Sequence, residues 1–117
     1  MARKYLMENN SNKKKFYVKV CDFFQEKDAE NFIRDYNNIV KKLNPGEYKL
    51  IIDSSELKTS SEEIISKLQE CLKFYMKDNF SEVIMINPED SSSRMQLHQL
   101  TKSINFTVGF VDSIVNV

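Results

Sequence analysis

Two short apolar runs, separated by a long amphipathic segment, constrain the fold of this chain most strongly. Leu50-Ile51-Ile52 and Val83-Ile84-Met85-Ile86 are rich in β-branched residues, which is typical of strands buried on both faces of a sheet. Between them, residues 60–80 repeat apolar side chains at three- and four-residue steps, which indicates a helix with one apolar face. A strand, a helix and a strand in this order predict a parallel pair with a right-handed crossover.

The same alternation continues on both sides of this unit. Residues 16–20 alternate apolar and polar side chains, which predicts a half-buried strand, and an Asn-rich turn links it to a weaker strand at 4–7. Residues 28–43 and 92–104 carry helical apolar stripes, and residues 106–111 predict a last strand. The expected fold class is therefore α/β, with the order β-β-α-β-α-β-α-β and a mixed, mostly parallel sheet flanked by helices.

Size and charge restrict the classes of function. A chain of 117 residues predicts a single domain, residues 1–117. Its 17 basic and 17 acidic side chains cancel, which gives no support to nucleic-acid binding or to a polybasic membrane contact. No secretory pattern and no apolar run near the roughly 18 residues of a membrane span are present. We therefore expect a cytoplasmic protein that binds neither nucleic acid nor membranes.

Residues that carry catalysis or bind metals are sparse and scattered. The chain has one histidine, His98, and no cysteine or carboxylate lies beside it at ligand spacing, so we expect an exposed or flanking surface histidine and no metal site. Cys21 and Cys71 lie on apolar registers, which favours two buried thiols over a disulfide. Gly46 and Gly109 are the only glycines, too few for a glycine-rich phosphate loop. The sequence thus predicts no enzyme activity and no cofactor.

The connection between the two central strands holds the candidate functional site. It leaves the carboxyl end of one strand and enters a helix N-terminus, where ligands and partners of open α/β sheets act and where free N–H groups favour an anion. Ser60 and Glu63 have the spacing of a capping box, as do Thr59 and Glu62. Serine and threonine are also common loop and cap residues, so a purely structural role stays open. The candidate residues are Asp53, Ser54, Ser55, Thr59, Ser60 and Ser61.

The element order and this connection together resemble the STAS domain, the sulfate-transporter and anti-sigma-factor-antagonist family. The resemblance covers residues 4–112 and includes Leu50-Ile51-Ile52-Asp53, the loop 54–59 and Ser60-Ser61. It implies a bacterial, non-enzymatic regulatory module with a protein partner, which in this family can be an anti-sigma kinase. By position, Ser60 or Ser61 would accept the phosphate. This chain has Thr-Ser-Ser-Glu where the family usually has Asp-Ser-Ser-Gly.

The sequence is also compatible with two other functions. Related α/β folds can enclose apolar ligands, so the chain could be a small-ligand or lipid carrier. It could also be a structural protein that self-associates as a homodimer, because an edge strand near Tyr5 or Val115 could pair with a second copy.

Overall fold

A hairpin and three strand–helix–strand units form one five-stranded sheet in the computed structural model, which describes residues 5–20, 26–57 and 62–113. The strand order is β1-β2-β3-β4-β5, with β1 antiparallel to β2 and all other neighbours parallel. The predicted α/β fold with a mixed, mostly parallel sheet is therefore confirmed. The elements are β1 (Tyr5–Asn10), β2 (Lys15–Val20), α1 (Glu26–Val40), β3 (Lys49–Asp53), α2 (Glu62–Lys77), β4 (Glu82–Ile86), α3 (Ser91–Ser103) and β5 (Gly109–Val111).

The three helices pack on the same face of the sheet. Each crossover leads to the next strand in one direction, and crossovers of one hand then place every helix on one side. The strand residues that face this layer are almost fully buried and belong to a single apolar cluster with α1, α2 and α3. They are Phe16, Val18, Val20, Leu50, Ile52 and Met85.

Aromatic rings join the helices to the sheet. The ring of Tyr36 in α1 meets Tyr75 in α2 edge-on, with centroids 5.2 Å apart, and stacks on Phe16 of β2 at 6.0 Å. Such pairs contribute about 0.5–1.5 kcal/mol beyond their buried area. The Tyr36 hydroxyl donates a hydrogen bond to Asp78 at 2.7 Å. Burial, together with the neighbouring Asp78 carboxylate, raises the pKa of Tyr36 far above its usual value, so the ring stays neutral.

Two helices end earlier than their apolar patterns predict. We expected a helix up to Leu43, but α1 ends at Val40 and the next residues form a turn. The second helix was expected to reach Phe80, but α2 ends at Lys77. Asn79 adopts a left-handed backbone conformation with φ of 54°, a common way for a helix to stop.

The N-terminus of α3 also differs from the sequence prediction. Ser93 and Gln96 have the spacing of a capping box, but Asp90 is the cap. Its carboxylate accepts hydrogen bonds from the Ser93 backbone N–H at 2.9 Å and the Ser93 hydroxyl at 2.8 Å. A carboxylate here also complements the positive end of the helix dipole, which explains why Asp90 is preferred over the serine.

The structure also describes one of the two cysteines and the last strand. Cys71 is a buried free thiol, as predicted, whereas Cys21 lies outside the described residues. The last strand is shorter than the predicted 106–111 and contains only Gly109–Val111. Among the described helices, none has both the length and the apolar character needed to cross a membrane.

Replacing Met85 should test the packing of the helix layer. Met85 is 0% exposed at the centre of the sheet, whereas Met95 on α3 is 64% exposed. We expect Met85→Ala to lower the free energy of unfolding by about 2–5 kcal/mol, because it opens a cavity. The matched control Met95→Ala should change it by less than about 0.5 kcal/mol. Urea denaturation measures both, and equal losses would contradict the described core.

Candidate functional site

The carboxyl ends of the parallel strands form one edge of the molecule, and the candidate connection starts there. The structure describes Asp53, Ser54 and Ser55 of the predicted site residues. Thr59, Ser60 and Ser61 lie outside the described residues. Glu63 lies in α2, but its side chain is also outside the description, so the capping box of Ser60 and Glu63 stays a prediction.

Ser54 fastens the start of the connection to the neighbouring strand. It is 1% exposed, and its hydroxyl donates a hydrogen bond to the Ile86 carbonyl oxygen at 2.6 Å. Its backbone N–H points to the same oxygen at 3.3 Å. A buried hydroxyl with such a bond has a structural role, and in this arrangement it is not open to a kinase.

Asp53 is a buried carboxylate that holds the turn after β3. It is 7% exposed and accepts hydrogen bonds from the Tyr17 hydroxyl and from the Ser55 backbone N–H, the latter at 3.0 Å. Burial by itself would raise the pKa of Asp53, but the hydrogen bonds from Tyr17 and Ser55 and the nearby Lys19 ammonium outweigh it. The net effect lowers the pKa of Asp53, so the group is ionised at neutral pH.

The next residues of the connection are held equally firmly. Glu56 forms an ion pair with Lys19 of β2 at 2.5 Å, and Leu57 inserts into the apolar core. The Ser55 carbonyl oxygen accepts the backbone N–H of Glu89 at 3.0 Å, which ties the connection to the segment before α3. Residues 53–57 are therefore attached to both neighbouring strands and to the segment before α3. We call them the platform, and α2 begins five residues later, at Glu62.

A second polar cluster lies on the same edge and was not predicted. His98 of α3 is half-buried and stacks on Phe110 of β5, with ring centroids 3.7 Å apart. Its Nε2 lies 2.7 Å from Oδ1 of Asn87. The Asn87 amide nitrogen donates to Asp112 at 2.9 Å, and the Arg94 guanidinium lies 3.8 Å from the same carboxylate. The amide oxygen only accepts, so Nε2 of His98 carries a hydrogen.

Sequence patterns predicted an exposed or flanking surface histidine, and the structure shows His98 half-buried with its ring packed on Phe110. The residues of its cluster come from α3, from β5 and from the positions directly after β4 and β5. No local spacing relates them, so sequence patterns had no signal for the contact. The polar side chains of this cluster bond to one another. In the part of the chain that the structure describes, no group of three or more metal-binding side chains occurs.

Comparison with known proteins adds no assignment. No protein-family model matches the sequence, and no curated protein matches it significantly. The resemblance to the STAS domain therefore depends on the element order and on the connection between β3 and α2.

The lowered pKa of Asp53 predicts how stability varies with pH. Because the folded-state pKa lies below the unfolded value of about 3.9, the ionised group stabilises the fold above that value. This contribution is lost as the pH falls through the folded-state pKa. Asp53→Asn should cost about 1–3 kcal/mol at neutral pH and flatten the decline of stability in acid. Urea denaturation across this pH range measures both effects. A decline in Asp53→Asn that is as steep as in the wild type would contradict the assignment.

The neighbouring residues Ser54 and Ser55 differ in burial, since Ser54 is buried and Ser55 is half-buried. Ser54→Ala should lower the free energy of unfolding by about 1–3 kcal/mol, because the buried bond to Ile86 is lost. Ser55→Ala should have a smaller effect. It removes the bond from the Ser55 hydroxyl to Asp53, but Ser55 is only half-buried and its backbone N–H still binds that carboxylate. Thermal and urea denaturation compare the two variants. A larger loss for Ser55→Ala would show that the bond between Ser54 and Ile86 is not the main attachment.

Proposed function

We propose that this chain is a non-enzymatic, STAS-like regulatory module that binds a protein partner through the connection between β3 and α2. The observation that carries the proposal is the platform of residues 53–57, which is bonded to β2, to β4 and to the segment before α3. The hydrogen bonds of Ser54 and Asp53 and the ion pair of Glu56 hold it. Preorganised surfaces bind with less loss of conformational entropy, so such a platform suits recognition.

Phosphorylation of Ser60 or Ser61 would regulate this contact in the proposed module. A phosphate adds nearly two negative charges. It would lie close to the start of α2, where Glu62 and Glu63 follow directly. A helix N-terminus favours an added anion, whereas the two glutamates repel it. In this proposal the phosphate therefore changes the charge of the contact surface and weakens partner binding.

The described core supports the carrier alternative less well. Its internal void measures about 20 Å³ and lies between α1, α2, α3 and the sheet, which is room for about one water molecule. A lipid or another apolar ligand would need a far larger cavity. In the described part of the core, no observation therefore favours a small-ligand carrier.

Partner capture with serine variants should test the proposed contact. The full chain, immobilised and exposed to lysate of its own host, is expected to retain a partner reproducibly. Ser60→Glu and Ser61→Glu should reduce the captured amount about tenfold or more, a loss of about 1.4 kcal/mol. Ser60→Ala and Ser61→Ala should retain it, and the matched control Ser92→Glu on α3 should bind as the wild type does. A partner that binds all variants equally would contradict the site.

Intact-mass analysis tests the regulatory part separately. Protein purified from its own host should carry a fraction with one added phosphate, and fragmentation should locate it at Ser60 or Ser61. A phosphate found instead on Ser54 would contradict the buried role of that hydroxyl. If both serines stay unmodified under all growth conditions, phosphoregulation is wrong, while partner capture can still support the interaction module.

A further inference from the structure

The opposite end of the molecule, where the parallel strands begin and the helices end, collects lysines from separate parts of the chain. Three precede or begin β2, two follow α1, one begins β3, and one ends each of α2 and α3. We call this surface the basic end. Its lysines are Lys13, Lys14, Lys15, Lys41, Lys42, Lys49, Lys77 and Lys102.

Backbone contacts hold several of these segments together. The Lys49 backbone N–H donates to the Lys14 carbonyl oxygen at 2.9 Å, and Lys15 pairs directly with Lys49 in the sheet. The Ser81 backbone N–H donates to the Pro45 carbonyl oxygen at 3.2 Å. This last bond joins the segment after α2 to the segment after α1, so the lysines that end the two helices share one surface with those of the strands.

Three acidic residues, Glu47, Asp78 and Glu82, lie among the eight lysines of the basic end, so its charge stays positive. Glu82 pairs with Lys49 at 3.3 Å, and Asp78 accepts the buried hydroxyl of Tyr36. Among the residues that the structure describes, no ion pair involves the exposed lysines of this end. The exposed lysines are Lys13, Lys14, Lys41, Lys42, Lys77 and Lys102.

The zero net charge of the chain conceals this surface. Carboxylates such as Asp53, Glu56, Asp90 and Asp112 lie at the other edge, beyond the carboxyl ends of the strands. Strands rise about 3.3 Å per residue, so a six-residue strand separates the two ends by about 17–20 Å. Screening at physiological salt acts over about 8 Å. An anion at the basic end is therefore exposed to the lysines and hardly to the distant carboxylates.

We propose that the basic end docks on an anionic phospholipid surface. All its cationic groups are lysines, compact point charges that need no defined geometry in their anionic partner. Lysines close to an anionic leaflet are attracted to it, and the attraction increases with their number. The sequence-based expectation of no membrane contact depended on the zero net charge of the chain. The proposal revises it, because the structure shows that the lysines are concentrated at one end.

The composition of the basic end favours lipid over nucleic acid or an acidic protein. Stacking on nucleic-acid bases uses exposed aromatic rings, and protein interfaces use aromatic or arginine anchors. Tyr48 lies beneath Lys14, whose ammonium is 5.3 Å from the ring centroid, and is 5% exposed. The exposed large apolar residues of the described chain are Leu6, Met76 and Met95, none of them aromatic.

Lipid docking would leave the proposed partner site accessible. The basic end and the connection between β3 and α2 lie at opposite ends of the strands, so both contacts can form at once. The proposal is independent of the identity of the protein partner and of phosphorylation at Ser60 or Ser61.

Vesicle co-sedimentation tests this docking with the full chain. The chain should sediment with vesicles of phosphatidylcholine and phosphatidylserine, stay in solution with phosphatidylcholine alone, and be released by high salt. The variant K13Q/K41Q/K42Q/K77Q should lose about tenfold or more of its partition coefficient. The control K27Q/R94Q, which removes positive charge elsewhere, should bind as the wild type does. Circular dichroism checks that both variants fold.

Several results would overturn the proposal. They are equal binding to vesicles without phosphatidylserine, unchanged binding of the quadruple lysine variant, or an equal loss in the control. Binding to DNA of matched charge without binding to vesicles would assign the basic end to nucleic acid instead. Lysine-dependent self-association in light scattering, without vesicle binding, would identify the acidic edge of a second copy as the occupant.

Discussion

The packing of a single helix layer against one face of the sheet is the constraint on which the other features of this structure depend. Phe16, Tyr36 and Tyr75 form its centre, where the rings from β2, α1 and α2 meet. Because every crossover leads to the next strand in one direction, all helices begin at the same edge of the sheet and end at the opposite edge. This directionality gives the two ends of the molecule different chemistry.

Polar groups at the carboxyl edge of the sheet hold the residues that follow β3 in place. Asp53 and Ser54 are buried, and each is hydrogen-bonded, which avoids the cost of an unsatisfied buried polar group. Their bonds reach neighbouring strands and fix the first residues after β3. The hydrogen bond between Asn87 and His98 likewise connects the residue after β4 to α3. Rigid attachment of a loop at such an edge is what the proposed partner contact requires, and it is independent of any catalytic chemistry.

Charge follows the same directionality. Helix N-termini favour acidic residues and C-termini favour basic ones, so a fold with parallel helices sorts charge between its ends. Asp90, which caps α3, and Lys77, which ends α2, are examples. The number of lysines at the basic end goes beyond what the helix dipole explains, because Lys13, Lys14 and Lys15 belong to a hairpin. A molecule with an excess of lysines at one end can meet different partners at its two ends.

The sequence by itself determined the order of the elements, because the periods of strands and helices are local properties of neighbouring residues. It also located the connection after Asp53, since a strand end followed by a helix start is visible in the chain. Only the tertiary structure decided the helix ends, the choice of Asp90 as cap, the half-buried state of His98 and the assembly of the basic end. Each of these depends on contacts between residues distant in sequence, such as Asn87 with Asp112 or Lys14 with Lys49. Hydrophobic periodicity contains no information on such contacts. The net charge adds all charges of the chain, including those that are too far apart to act on one another in salt solution.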